Sequence, residues 1–240
     1  MSGHLNPGGQ QFRGDRGEAE PRVAAALAAY QAGQRSEQAA LTALAAARLL
    51  VPVVAVLADG TATEGAKDSE GFKDSEGDKD SEMVLPTLIG RDGRPAVLAF
   101  TSLDALARWR PDARPVPAEA DRVWRAAVAD GCAVVIDVAG PVPLAVEGAR
   151  LAALAAGQPV PPPHEDPDVR AEVQAATAAE PAIAGFTLAP GREDGPDLAI
   201  VLHLTGKAPG KGPAVNRAAA GIAARLATRL RRGIEVIIAE

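Results

Sequence analysis

Aromatic side chains make up only 3% of this 240-residue chain: two Trp, one Tyr and four Phe. A core must therefore be assembled from Ala, Val, Leu and Ile, and the wide ring faces that grip nucleobases or planar ligands are scarce. A single cysteine, Cys132, excludes an internal disulfide and suits a reducing compartment. One cysteine with three scattered histidines, His4, His164 and His203, offers no legible zinc site. Lysine stands only at 67, 73, 79, 207 and 211, so arginine carries most of the positive charge; with heavy Ala, Gly and Pro usage this points to a GC-rich bacterial genome of actinobacterial character. The longest apolar run, residues 49–58, contains Pro52 and has about half the ~20 residues that a membrane span requires. Residues 1–21 hold no apolar signal core. The expectation is a soluble cytoplasmic protein with no membrane partner.

Apolar residues nevertheless amount to 47%, enough for a buried core, and the length accommodates one large domain or two small ones. The net charge of −6 hides two opposed segments. Residues 67–82 carry a net −4, whereas residues 207–232 contain seven basic residues and no acid.

A polar leader over residues 1–19, read as disordered, is followed by a helix over 20–32, with Val23, Leu27 and Tyr30 at helical spacing. Ser36 caps a second helix running to about Leu49, and residues 51–57 read as a buried strand. Residues 67–82 are nearly three copies of the unit Lys-Asp-Ser-Glu-Gly-Xaa; a unit so short and polar buries no face, so it reads as a loop in a hairpin connection. Residues 84–89 and 95–100 are read as strands about a Gly-Arg-Asp-Gly turn, residues 102–109 as a helix, and 118–129 as a helix closed by Gly131. A strand over 133–138 and a helix over 144–156 complete this part.

Four prolines in residues 159–163 mark a stiff linker, and beyond it the pattern restarts: helix 169–178, strands 183–188 and 198–204, helix 214–231, strand 234–238. The domain reading is leader 1–19, first domain 20–157 with the acidic loop at 61–82, linker 158–167 and second domain 168–240. The fold class is α+β, two small mixed α/β domains each with a short sheet packed with helices.

Catalytic and cofactor motifs fail on spacing. Gly206 to Lys211 lies between strand and helix, but its glycines are one residue too close for a phosphate loop, and Gly212 stands where Mg²⁺ needs Ser or Thr. A calcium loop from Asp74 has donors at Asp74, Glu76 and Asp78, then fails at Lys79, where Gly is needed, and at Leu85, where a bidentate Glu is needed. There is no G-x-S-x-G, and three of the six serines lie in the repeat. Cys132, ahead of an apolar strand, reads as a small core residue, and His203 as a polar-face residue. No enzyme activity, cofactor or metal is expected. Arg217, Arg225, Arg229 and Arg232 fall near one helix face, either a solvated face or a patch for a partner; nucleic acid is disfavoured by the acidic whole and the missing aromatics. The candidate interaction surface is Asp80, Glu82, Trp109, Arg110, Arg225, Arg229 and Arg232.

The order Lys79-Asp80-Ser81-Glu82-Met83-Val84-Leu85-Pro86-Thr87, the Gly-Arg-Asp-Gly-Arg-Pro turn, Ala99-Phe100-Thr101-Ser102, Trp109, Arg114-Pro115-Val116-Pro117 and Gly140-Pro141-Val142-Pro143 resembles the N-terminal domain of SseB-family proteins over about residues 20–157. The region after the linker is similar, more weakly, to the family's C-terminal domain. The resemblance implies the fold and the domain division and brings no catalytic residue with it. Two functions are carried forward: a non-enzymatic interaction or scaffold protein with a protein partner, which could be a second copy of the chain, and a regulator binding a small metabolite linked to serine.

Overall fold

The computed structural model describes residues 14–57, 81–90, 93–192, 195–206 and 211–239. Asp80 and the rest of the acidic repeat before residue 81, the leader to residue 13 and the glycine-rich residues 207–210 lie outside the described residues. The fold is α+β. By internal contact the chain divides into two compact units, one holding the chain up to Leu27 and Ala43–Gln158, the other Ala28–Thr42 and Pro159 onward.

Two short helices come first, α1 (Pro21–Gln31), with proline at its first position, and α2 (Glu37–Leu44). The second stops five residues before the expected end because Arg48 already belongs to a strand. The first unit then runs through β1 (Arg48–Leu57), β2 (Ser81–Val84), β3 (Thr87–Ile89), β4 (Pro95–Ala99), α3 (Leu103–Trp109), β5 (Arg114–Glu119), α4 (Ala120–Ala129), β6 (Ala133–Ile136), β7 (Leu144–Val146) and α5 (Gly148–Ala155). These strands form one sheet in the order β2-β1-β5 and another in the order β3-β4-β6-β7. Leu57 pairs antiparallel with Ser81, so the acidic repeat does fall in a hairpin connection, but its last two residues, Ser81 and Glu82, are strand rather than loop. The single strand expected over 84–89 is broken at Leu85–Pro86, where the chain leaves β1 (Val84 opposite Val54) and joins β4 (Thr87 opposite Val97).

Two strands of this unit were not expected from the sequence. In β5, Pro115 and Pro117 argue against a ladder, since proline has no N–H to give. The register resolves this. Leu50 exchanges both backbone bonds with Phe100 of the β4 end (2.7 and 2.8 Å), so it has none left for Pro117 opposite it. Pro115 lies opposite Pro52, two residues along. The β1–β5 bonds therefore come from the alternate pairs, and both β5 prolines turn their nitrogens to the free edge. In β7, Leu144 and Val146 are buried about an exposed Ala145, a period of two that the adjoining apolar helix masks. Gly148 then begins α5 at φ +58°.

Residues 15–19 do not belong to a detached leader. Asp15 pairs with Nε of Arg48 at 2.8 Å, and Gly17 O accepts from Leu103 N at 2.7 Å. Core positions include Leu49, Leu98, Phe100, Trp124 and Ile136, all fully buried.

The second unit contains α6 (Pro167–Thr177), β8 (Ile183–Pro190), β9 (Leu198–Leu204), α7 (Lys211–Leu226) and β10 (Ile234–Ile238). The sheet order is β10-β9-β8, with β9 antiparallel to β8 and parallel to β10, so α7 is the crossover. Leu198, Ile200 and Leu202 face Val169 and Val173 of α6 and Val215, Ile222 and Leu226 of α7. Each such buried side chain contributes about 1.5–3 kcal/mol. The opposite face carries Thr187, Val201, His203 and Ile237; His203 is exposed, as expected, and its Nε2 lies 2.9 Å from Thr187 Oγ1. The helix expected to reach Arg231 ends at Leu226, because turns through Gly233 (φ +77°) must bring the chain back to start β10 beside β9.

Candidate functional site

Of the seven residues singled out from the sequence, Glu82, Trp109 and Arg110 belong to the first unit and Arg225, Arg229 and Arg232 to the second. Asp80 lies outside the described residues, and Glu82 sits in β2 opposite Val56. Trp109 is half-buried: its ring centroid is 5.5 Å from that of Phe100, and it packs against the cluster of Leu50, Leu98 and Leu106. Arg110 is exposed at the end of α3 and meets Asp112 at 3.4 Å. The three arginines belong to the second unit, and each faces a carboxylate. Arg225 meets Glu172 at 2.8 Å on the surface. Arg232 grips Asp197 through its backbone N (3.0 Å) and Nε (2.9 Å). Arg229, half-buried, lies 3.5 Å from the buried Glu37 of α2 and 2.5 Å from the buried Asp166. Burial would lower the Arg229 pKa, but Glu37 and Asp166 more than offset it and hold the guanidinium above its usual value.

Asp166 serves two ends at once. Its Oδ1 accepts from Asp168 N at 2.8 Å as the N-cap of α6, while Oδ2 holds Arg229. Arg217 completes the set with a two-pronged bond to Glu180 (2.8 and 2.7 Å), which holds that carboxyl below the usual carboxylate range. The expected basic face is thus an ion-paired one, and its arginines are used to fasten the second unit.

A buried polar pair was not read from the sequence. Thr101 follows β4 and Asp137 follows β6, at the C-terminal ends of two parallel strands. Thr101 donates to the Asp137 carboxylate from its N (2.8 Å) and its Oγ1 (2.6 Å). Asp137 sits at φ +49°, and the site of a Cβ on Gly140 is 3.0 Å from its Cβ and its carbonyl oxygen, so the turn from Asp137 to Gly140 leaves no room for a side chain at Gly140. Burial pushes this carboxyl above its ordinary value, outweighing the two bonds from Thr101 and the charge of Arg108. An isolated Asp after a strand gives no linear signal; only the parallel register brings Thr101 to it. Cys132 is half-buried rather than core, with its thiol pushed up by burial and by Asp130.

The second unit also has a groove of about 490 Å³ between α6 and the edge strand β8. Arg170, Gln174, Thr177 and Ala178 line one wall at helical spacing, and Ile183 to Phe186 line the other. Leu202 O accepts from Ala239 N on the β10 side (3.0 Å), and Thr205 N donates to Ala182 O on the β8 side (2.9 Å). Even-numbered residues of β9 therefore bond toward β10 and odd ones toward β8. With Gly185 opposite His203, Thr187 opposite Val201 and Ala189 opposite Ala199, the backbone groups of Phe186 and Leu188 face the free edge. Among the described residues no carboxylate pairs with Arg170; its guanidinium rests 5.8 Å over the Phe186 ring. Nor, among those residues, is there a group of three or more His, Cys, Asp or Glu that could hold a metal ion, or a helix long and apolar enough to cross a membrane.

A family model described as SseB protein N-terminal domain matches residues 23–153, more than half the chain, and the chain belongs to the SseB family. The match does not reach residues 168–240. No curated protein and no solved structure matches the chain.

Proposed function

We propose that this member of the SseB family is a non-enzymatic interaction protein of the bacterial cytoplasm that presents a docking site to a protein partner. The observation that carries the reading is the groove of the second unit, where a sheet edge unpaired among the described residues, at Phe186 and Leu188, runs beside a helix wall holding Arg170, with which none of the described carboxylates pairs. Edge backbone groups and a charged helix wall are the features by which proteins take up extended segments of others. Arg217, Arg225, Arg229 and Arg232 of the unit support the same reading, because their carboxylate partners leave them little charge to offer elsewhere. The test is cross-linking capture of the tagged chain from its native cells, repeated with Arg170→Glu. A stoichiometric partner lost in the variant is the expected result. Turnover on a broad substrate panel, abolished by a point substitution, would sink it.

The second reading, a regulator binding a small metabolite linked to serine, draws on the same groove, whose volume lies within the ~300–1,000 Å³ common for small-molecule sites. A rise in melting temperature with serine, removed by Arg170→Glu, would favour it. A flat response across serine and related amino acids would count against it.

A further inference from the structure

We infer that the groove between α6 and β8 takes an extended acidic peptide of a partner protein as an added strand, with a peptide carboxylate on Arg170; this rests on the interaction reading above. The backbone supplies the register. Phe186 and Leu188 each turn an N–H and a C=O to the free edge of β8, so a peptide laid alongside gains main-chain bonds over the stretch between the irregularity at Ile183–Gly185 and Pro190. Those two features bound the accessible edge, since proline and bulges interrupt pairing.

Charge selects among extended peptides. The groove holds two charged groups of opposite sign, Arg170 and Glu180, and they are not equivalent. Glu180 is buried and satisfied by both prongs of Arg217. Arg170 is exposed, with the Phe186 ring beneath it and, among the described residues, no carboxylate paired with it. A cation held in place over an aromatic face keeps its outward N–H groups for an incoming carboxylate, and a basic peptide side chain would meet uncompensated repulsion there. The shape favours a strand over a small molecule. One wall of the groove is an edge strand whose outward backbone groups a peptide strand can pair with, whereas small-molecule sites enclose most of their ligand.

The experiment starts from a phage-displayed random dodecapeptide library selected on the full chain. The enriched peptides are synthesised and titrated by fluorescence anisotropy against the parent, Arg170→Glu and Gln174→Trp. Gln174 is exposed on the groove wall, so the Trp substitution fills the groove from a position outside the core, and an unchanged melting temperature verifies the fold. The expected result is enrichment of peptides alternating apolar and polar residues around an acid. Binding falls about tenfold or more in both variants, as for the loss of a close charge pair or of the site itself. Amide hydrogen exchange at Phe186 and Leu188 slows in the complex. Peptides without an acid, or binding unchanged in both variants with protection elsewhere, would overturn the groove assignment and leave the interaction reading standing. Enrichment of nothing, with a native partner still captured, would also overturn the groove alone. Enrichment of nothing, no captured partner and a serine-dependent melting shift would overturn both.

Discussion

The two units finish their sheets in opposite ways. In the first, β5 is an edge strand whose outward nitrogens at Pro115 and Pro117 carry no hydrogen, so the edge has nothing to donate at those positions. In the second, β8 is an edge strand whose outward positions are Phe186 and Leu188, each with a donor and an acceptor. Natural sheets blunt edges that must not pair, and proline is one of the means. The contrast teaches that one edge is shut by its own sequence while the other is left able to accept a strand.

Their polar fastenings differ as sharply. The first unit closes the ends of its parallel strands with the buried Asp137–Thr101 pair, whose carboxyl is pushed upward in pKa. The second uses arginine–carboxylate pairs, with the Glu180 carboxyl held low and Arg229 held high. The largest effect expected on this comparison comes from Arg229→Ala. It removes the counter-charge from Asp166, whose side chain is 0% exposed, and from Glu37 at 8%. Breaking a buried pair from one side costs about 3–5 kcal/mol. Urea titration followed by the Tyr30 signal should show this loss, since Tyr30 Oη donates to Thr228 O in the same turn region (3.0 Å) and Arg231 lies over its ring. A change under about 1 kcal/mol would mean that Arg229 is not a fastening of the second unit.

Asp137→Ala comes next, at about 2–3 kcal/mol, because it strands two buried Thr101 donors and leaves a left-handed backbone to a residue that disfavours it. Asn accepts the N–H bond, tolerates that backbone and carries no charge, so Asp137→Asn should cost much less. The two units then answer pH with opposite signs. For Asp137 the folded value is raised, so its contribution is complete below the unfolded value of about 4 and is lost as pH rises through the folded one. For Glu180 the folded value is lowered, so its contribution is present above about 4.3 and lost as pH falls through the folded one. Urea midpoints between pH 3 and 7 should show Asp137→Asn removing the first dependence and Glu180→Gln the second. A single pH dependence shared by both variants would break the comparison.

Restoring donors to the blunted edge tests it from the other side. Pro115→Thr with Pro117→Thr should raise concentration-dependent self-association in sedimentation velocity relative to the parent chain. Unchanged sedimentation would mean that the prolines do not keep that edge closed.

What the sequence made legible follows from where the decisive interactions lie. Strands β9 and β10 coincide with the expected spans because each is a mainly apolar run, interrupted by His203 in the first and Glu235 in the second, that starts directly after Asp197 or Gly233. Gly131 and Ser36 act as expected, the first at φ +65° after α4 and the second accepting from Ala39 N at 3.4 Å ahead of α2. The errors occur where a distant partner overrides a local rule. Proline forbids a ladder bond only if one is needed, and Leu50 spends its bonds on Phe100 instead. The Asp137–Thr101 pair spans 36 residues and exists only through parallel register, and the open edge at Phe186 depends on the direction of β9 bonds. Net charge misled for the same reason: a run of basic residues is visible in one dimension, whereas the carboxylates that neutralise it come from Glu37, Asp166, Glu172, Glu180 and Asp197 elsewhere in the chain.

The smallest expected effect separates the two kinds of arginine within that run. Arg225 and Arg229 are four residues apart and both face carboxylates at short distance, so a contact map treats them alike. Their surroundings do not. The Arg225–Glu172 pair is about half exposed on both sides, at 48% and 43%. Water already solvates both charges there, salt screens them, and two long side chains lose rotamer freedom to meet. Arg225→Ala should therefore change stability by less than about 0.5 kcal/mol, and raising the salt concentration should reduce even that. Arg229→Ala should keep most of its cost at high salt, because its carboxylates lie out of reach of ions. Equal losses for the two variants would show that burial does not rank these pairs, and the division between fastening and surface arginines in the second unit would fall with it.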